Sequence, residues 1–137
     1  MPLRLEIITP ERKVLEEEVD MVVAPASEGY VGILPHHAPL LTSLGPGELI
    51  VKKGGVEETL AVFGGFMDVR GGRVTILTDE ADRAEELDEE RVHRAREEAQ
   101  KVLEVPGLSP AEEARARAQL ERSLVRLRVT QRRRKRV

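Results

Sequence analysis

Near Leu87 the chain changes both its hydrophobic period and its charge, so no uniform architecture can accommodate the whole of it. Upstream, short runs of alternating or β-branched residues are separated by glycines, the pattern of strands with one buried face. Downstream, apolar residues recur three and four apart in charge-rich sequence, the pattern of amphipathic helices. Charge divides at the same place. Residues 1–86 hold eight Lys and Arg against sixteen Asp and Glu, net −8, and residues 87–137 hold fourteen against nine, net +5. The overall −3 conceals this asymmetry. Opposite charges let the second half dock on the first or leave it for another acidic surface, so the pattern predicts a moving part and not an enzyme.

A chain of 137 residues fits a small domain with an appendage and buries roughly two-thirds of its unfolded surface. Its three aromatics are Tyr30, Phe63 and Phe66, so the core must be built from Val, Ile, Leu and Met. The absence of cysteine excludes disulfides and thiolate metal sites. No apolar run approaches the roughly 18 residues of a membrane span, and the N-terminus lacks a signal-peptide pattern, which predicts a cytosolic protein.

In the first half, Leu3, Leu5 and Ile7 alternate with Arg4, Glu6 and Ile8, and Pro10 ends the run. Further strands are expected over 14–17, 19–24, 29–34, 48–52, 56–63, 66–70 and 73–77, a spacing that reads as a sandwich or barrel. Lys53-Gly54-Gly55-Val56 and Arg70-Gly71-Gly72-Arg73 each place two glycines between strand runs. Gly-Gly supplies the positive φ that both central positions of a type I′ turn require, so both are expected to be tight hairpins. Gly64-Gly65 lacks the context of a phosphate-binding loop and is expected to be a bend or bulge.

The second half opens with Asp88 as N-cap, Glu89 and Glu90 at the positive helix end, and Leu87 placed to staple on Val92. Val92, Ala95, Ala99, Val102 and Leu103 keep helical spacing until Val105-Pro106-Gly107. Helix restarts with Ser109 as N-cap, Pro110 at the first helical position and Glu112 closing a capping box. Ala116, Leu120, Leu124 and Leu127 are expected on one face. The short connection makes an antiparallel hairpin, too poor in apolar residues to stand without a docking surface. The expected fold is therefore α+β in two parts: an N-terminal antiparallel β-sandwich, residues 1–86, and a C-terminal antiparallel two-helix hairpin with a basic tail, residues 87–137.

Candidate sites are sparse. His36 and His37 are adjacent, and neighbouring residues of an extended strand point to opposite faces, so they do not converge on a metal; a loop fixed by Pro35 and Pro39 is expected. No nucleophile with a matching base stands out. The run Arg132-Arg133-Arg134-Lys135-Arg136 could contact nucleic acid, which would make the chain an adapter or nucleic-acid-binding module, but no aromatic stacking platform accompanies it. An acidic protein partner is the other reading. Arg122 and Arg126, four apart, share a helix face, and Arg91 from the other helix could join them in a polyanion pocket; the alternative is ion pairing with carboxylates on neighbouring turns.

Several ordered segments resemble one family. Leu5-Glu6-Ile7-Ile8-Thr9-Pro10-Glu11, Gly32-Ile33-Leu34-Pro35-His36-His37-Ala38-Pro39-Leu40, Phe63-Gly64-Gly65-Phe66-Met67-Asp68-Val69 and Val74-Thr75-Ile76-Leu77 are similar to segments of the epsilon subunit of bacterial F-type ATP synthases, the counterpart of the mitochondrial delta subunit. The resemblance spans nearly the whole chain. It implies a noncatalytic rotor subunit on the cytoplasmic side of the bacterial plasma membrane, peripheral to it and held there through the complex. The sandwich would contact the gamma subunit and the ring of c subunits. The hairpin could fold down on the sandwich or extend along gamma into the catalytic hexamer, and the extended form would inhibit ATP hydrolysis as its basic side chains meet acidic segments of the beta, and alpha, subunits.

The same resemblance implies partner contacts for His37, Arg128, Arg132, Arg133, Arg134 and Arg136. Some members bind ATP through an aliphatic residue, Asp, two variable residues, Arg and Ala. Here Leu87-Asp88-Glu89-Glu90-Arg91-Val92 supplies Asp88 and Arg91, with Arg122 and Arg126 from the second helix and Asp82 in place of Glu. Val92 crowds the position of the small Ala, and Glu98 stands where an ATP-binding relative can carry Arg. No cofactor is required, no metal site is implied, and ATP is expected as a weak regulatory ligand at most.

Overall fold

The computed structural model describes residues 2–132 and the backbone of residues 135–136. Eleven strands occur among them: β1 Leu3–Ile8, β2 Lys13–Val19, β3 Met21–Ala26, β4 Gly29–Ile33, β5 Leu40–Ser43, β6 Gly47–Lys53, β7 Val56–Val62, β8 Phe66–Arg70, β9 Arg73–Leu77, β10 Ala81–Arg83 and the two-residue β11 Lys135–Arg136. A 3₁₀ turn at Ala84–Glu86 leads into helices α1 Glu89–Leu103 and α2 Pro110–Gln131. One sheet has the order β2-β1-β9-β8-β5; the other runs β10-β7-β6-β3-β4, with β11 beside β7. The sandwich followed by two helices is the expected fold class. One pairing departs from a purely antiparallel scheme: β1 runs parallel to β9, clamped between it and β2.

Alternation decides what faces inward. Leu3, Leu5 and Ile7 of β1 are buried against Val74 and Ile76 of β9, Met67 and Val69 of β8, and the inward set Leu49, Val51, Leu60 and Val62 from the opposite sheet. This core contains no aromatic residue. Tyr30 and Phe66 are 58% and 56% exposed, and Phe63 belongs to a second cluster outside the sandwich. Both Gly-Gly junctions are tight hairpins with positive φ at each glycine, Gly54 and Gly55 at 57° and 77° and Gly71 and Gly72 at 56° and 77°. The four-residue β5 and three-residue β10 were not expected from sequence. Each is too short for a periodic signal and is a strand because β8 or β7 provides its ladder partner.

Both helix starts follow the sequence. The Asp88 carboxylate accepts from the backbone N–H groups of Glu90 and Arg91, and Ser109 and Glu112 complete the reciprocal capping box, with Pro110 in the first turn. Glu112 is held below its ordinary carboxylate range by the hydroxyl and backbone N–H of Ser109. α1 ends at Leu103, and Gly107 at φ 79° turns the chain back. α2 differs from expectation in having two buried faces. Ala116, Ser123, Leu127 and Thr130 occupy one, whereas Val125 and Val129 lie on the opposite side among Ala61, Phe63 and Ala84. Leu124, between the two faces, is 37% exposed. No helix among the described residues is long and apolar enough to cross a membrane.

Gly64 and Gly65 form the bend between β7 and β8, with φ of 76° and 103°. A Cβ on Gly65 would lie 1.9 Å from the Leu77 carbonyl oxygen. Gly65→Ala should therefore cost roughly 3 kcal/mol or more, from a left-handed backbone and a backbone clash together. Thermal unfolding followed by circular dichroism should show a midpoint lowered by more than about 5 °C; a midpoint unchanged from wild type contradicts this role for Gly65.

Candidate functional site

The face of the second sheet that α2 covers is built on a row of three residues in register. Asp82 on β10 lies opposite Ala61 on β7, and Ala61 lies opposite Glu48 on β6. Ala61 is small and fully buried, which lets the helix approach the sheet; the two carboxylates flank it. Phe63, just past the end of β7, extends the apolar strip, and Ala84 and Leu87 close it. At about 100° per residue, Val125 and Val129 point down onto this strip, while Arg122 and Arg126 splay to one side and Arg128 and Arg132 to the other.

The arginines meet the carboxylates on their own side. Arg122 Nη1 lies 3.2 Å from Glu80 Oε1, Arg126 Nη2 2.5 Å from Glu80 Oε2, and Arg126 Nε 2.8 Å from Asp82 Oδ2. The Phe63 ring lies beneath these two guanidinium groups, with its centroid 5.7 Å from Arg122 and 4.8 Å from Arg126. Across the helix, Arg128 Nε is 3.4 Å from Glu48 Oε1 and Arg132 Nε 2.8 Å from Glu48 Oε2. The carboxylate partners thus come from the sandwich, correcting the alternative that placed them on neighbouring helical turns. Glu48 and Glu80 were missed from sequence. A lone carboxylate in the apolar run of β6 was the available signal for Glu48, and nothing local marked Glu80.

Of the residues assigned to nucleotide, the structure brings Asp82, Arg122 and Arg126 together. Asp88 is occupied as the α1 cap, with Oδ1 3.0 Å from the Glu90 amide and 3.4 Å from that of Arg91. The exposed Arg91 makes no ion pair or side-chain hydrogen bond with that group among the described residues. A depression of about 210 Å³ lined by Pro46, Phe63, Gly64, Ala118, Glu121 and Arg122 adjoins it, smaller than the roughly 300–1,000 Å³ of ordinary ligand pockets. Val92 is buried and Glu98 exposed on α1.

Of the partner residues, Arg128 and Arg132 sit on Glu48. Arg133, Arg134 and the side chain of Arg136 lie outside the described residues. His37 is partly buried in a turn, not a strand: its amide donates to the Leu34 carbonyl, its Nδ1 is 2.6 Å from the Ala38 carbonyl oxygen, and His36 carries the left-handed φ of 68°. No group of three metal-ligating side chains occurs among the described residues.

The junction between sandwich and hairpin is tied to the sandwich at two points. Arg83 Nε donates to Glu58 Oε1 at 2.7 Å, and Arg12 Nη2 to Glu86 Oε1 at 3.1 Å. Partial burial pushes the Glu86 carboxyl up, but the Arg12 guanidinium and the Arg83 backbone N–H outweigh it and hold the group below its ordinary value.

This arrangement is that of the delta and epsilon chains of ATP synthases. The family model described as the ATP synthase delta/epsilon chain beta-sandwich domain matches residues 2–84, and that of the delta/epsilon chain long alpha-helix domain matches residues 85–131, so the chain belongs to this family. Within it the chain is similar to ATP synthase epsilon chains: 54% identical to that of Herpetosiphon aurantiacus over 99% of both chains, and 50% identical to that of Dehalococcoides mccartyi over 97% of this chain and 95% of the relative. Among solved structures it resembles a chain of the Euglena gracilis mitochondrial ATP synthase OSCP/F1/c-ring assembly, with TM-score 0.76 and 31% identity over 88% of this chain and 76% of that one. ATP synthesis and ion transport, activities of the whole complex, are the setting in which the family works.

Because the folded-state pKa of Glu86 is depressed from 4.5, the stability it contributes is present above that value and is lost as pH falls through the folded pKa. Glu86→Gln should lower the thermal midpoint at pH 7, and the difference from wild type should shrink as pH is lowered from about 5 to about 3. Melting curves across that range check the expectation; a difference independent of pH contradicts it.

Proposed function

We propose that the chain is a noncatalytic central-stalk subunit of a proton-translocating F-type ATP synthase that couples rotor to catalytic head and restrains ATP hydrolysis through its C-terminal hairpin. The observation that carries this reading is the way α2 is held. A short apolar strip and arginine–carboxylate pairs, in which Arg122 and Arg132 remain 44% and 47% exposed and Arg126 24%, fasten it to the sandwich, and these pairs can be exchanged for the carboxylates of another protein. The sandwich contacts the gamma subunit and the c-ring, and the extended hairpin contacts the beta and alpha subunits. The similar Euglena chain belongs to an assembly containing F1 and a c-ring, which supports this choice of partners. The subunit is peripheral, on the cytoplasmic face of the bacterial plasma membrane, attached through the complex.

Moving a hairpin from mostly folded to mostly extended takes a differential stabilisation of about 5.5 kcal/mol. Several arginine–carboxylate contacts with the head supply that scale. The direct test is ATP hydrolysis by the reconstituted catalytic complex with the full chain and with a chain ending at Glu86. Hydrolysis should be faster with the shortened chain, and replacing Arg122, Arg126, Arg132, Arg133 and Arg134 by Ala should reproduce the release without loss of subunit binding. Inhibition that persists at the wild-type level in both cases defeats the brake.

ATP is a weak ligand of the folded form, held by Arg122 and Arg126 with Asp88 and Arg91 at the start of α1. Its phosphates compete with Glu80 and Asp82 for the same guanidinium groups, and Val92 crowds the base. A dissociation constant nearer millimolar than nanomolar follows, about 4 to 8 kcal/mol of binding. Calorimetric titration should show tighter binding for Val92→Ala and for Glu98→Arg, and weaker binding for Arg126→Ala. If no heat accompanies ATP even with both strengthening substitutions, the nucleotide part of the reading is wrong.

A further inference from the structure

Glu48 is the most deeply placed of the carboxylates under α2. Its side chain is 9% exposed, each oxygen meets a different arginine, and those arginines, Arg128 and Arg132, remain 55% and 47% exposed. The neighbouring surface is shaped around it. Gly47 has no room for a side chain beside Pro25 and Tyr30, and the Tyr30 hydroxyl accepts from the Glu48 amide at 3.1 Å. Strand register places Glu48 and Asp82 on either side of Ala61, so the helix is gripped from both flanks of its apolar stripe.

We propose that Glu48, with Glu80 and Asp82, forms a built-in counter-surface that occupies the α2 arginines in the folded-down state, and that Glu48 is its principal latch. The hairpin would then be released when an acidic segment of another protein displaces these carboxylates from Arg122, Arg126, Arg128 and Arg132. The identity of that segment, an acidic stretch of the catalytic subunits, rests on the proposed function. The latch itself is a property of the isolated chain.

The two sides of the latch are unequal. Removing the Glu48 charge leaves two arginines that water can solvate, whereas removing both arginines leaves a buried carboxylate without its partners, the costlier defect. That defect is relieved when the hairpin lifts and exposes Glu48. Arginine substitution should therefore open the hairpin more than Glu48 substitution, and neutralising Glu48 should partly restore docking in the arginine-substituted chain. A side chain that acted only by filling space would not produce this reversal of sign.

Amide hydrogen exchange of the full-length isolated protein tests the latch. In Glu48→Gln, exchange of residues 110–131 should quicken by about fivefold, the upper end of what an ion pair with exposed arginines contributes, while β1 and β9 amides exchange as in wild type and report an intact sandwich. Arg128→Gln/Arg132→Gln should quicken α2 further, and adding Glu48→Gln to that pair should slow it again. Poly-L-glutamate should quicken α2 exchange in wild type and reach half its effect at a lower concentration in Glu48→Gln. Unchanged α2 exchange in Glu48→Gln, additive acceleration in the triple variant, or a poly-L-glutamate response absent or equal in the two chains overturns the latch. Hydrolysis by the reconstituted complex separates the two readings: if α2 exchange responds to Glu48→Gln as expected but inhibition does not strengthen, the latch stands and the brake fails.

Discussion

The seating of α2 on Ala61 and Phe63 is the contact on which the position of the C-terminal half depends. α1 packs chiefly on α2, and α2 in turn meets β6, β7 and the turn at Ala84–Glu86. A helix buried on two opposite sides cannot carry a single apolar stripe, and α2 accordingly distributes small and aliphatic residues to both. Val125, Val129 and Phe63 are the larger side chains of the lower contact. At roughly 1.5–3 kcal/mol for each fully buried side chain, an upper estimate, that contact is of the same order as the switching energy of a two-state hairpin. The energy of this contact is thus on the scale that the proposed two-state hairpin requires.

Much of the fold was legible because it is locally encoded. The Gly-Gly hairpins need positive φ at two successive residues, and the Asp88 and Ser109 caps need only their own first turns. The sandwich core followed from alternation in β1 and its partners. What escaped depends on residues far apart in sequence. β10 is a strand because β7 pairs with it, and the second apolar face of α2 has meaning only against Ala61 and Phe63. Arg122 and Arg126 were legible as a shared helix face, but their partners Glu80 and Asp82 stand more than forty residues away. Glu48 was hidden by the reverse effect, a carboxylate in an apolar strand whose cross-strand row becomes informative once its register with Ala61 and Asp82 is known.

The charge asymmetry between the halves takes a concrete form at this contact. An exposed ion pair contributes about 0–1 kcal/mol, so the Arg122–Glu80 pair adds little to docking by itself, whereas the pairs of Arg126 are partly buried. Their value lies in orientation and exchangeability. They fix which way α2 rolls on the apolar strip, and under the proposed function they present groups that an outside carboxylate can also engage. A purely apolar seat of the same area would hold the helix but give an acidic partner nothing with which to compete.

The choice of arginine over lysine follows from the same geometry. Arg126 uses Nε toward Asp82 and Nη2 toward Glu80 while its plane lies over the Phe63 ring, three interactions that a single ammonium point charge cannot make together. Arg132 reaches the recessed Glu48 through Nε at 2.8 Å while its own side chain stays 47% exposed. Such a group can begin a contact with an incoming carboxylate before it has released the old one. In the proposed release, exchange through a shared guanidinium would avoid a stage in which Glu48 is both buried and unpaired. Fast exchange at a low intermediate cost is what a hairpin must have if it is to follow the state of a rotating assembly.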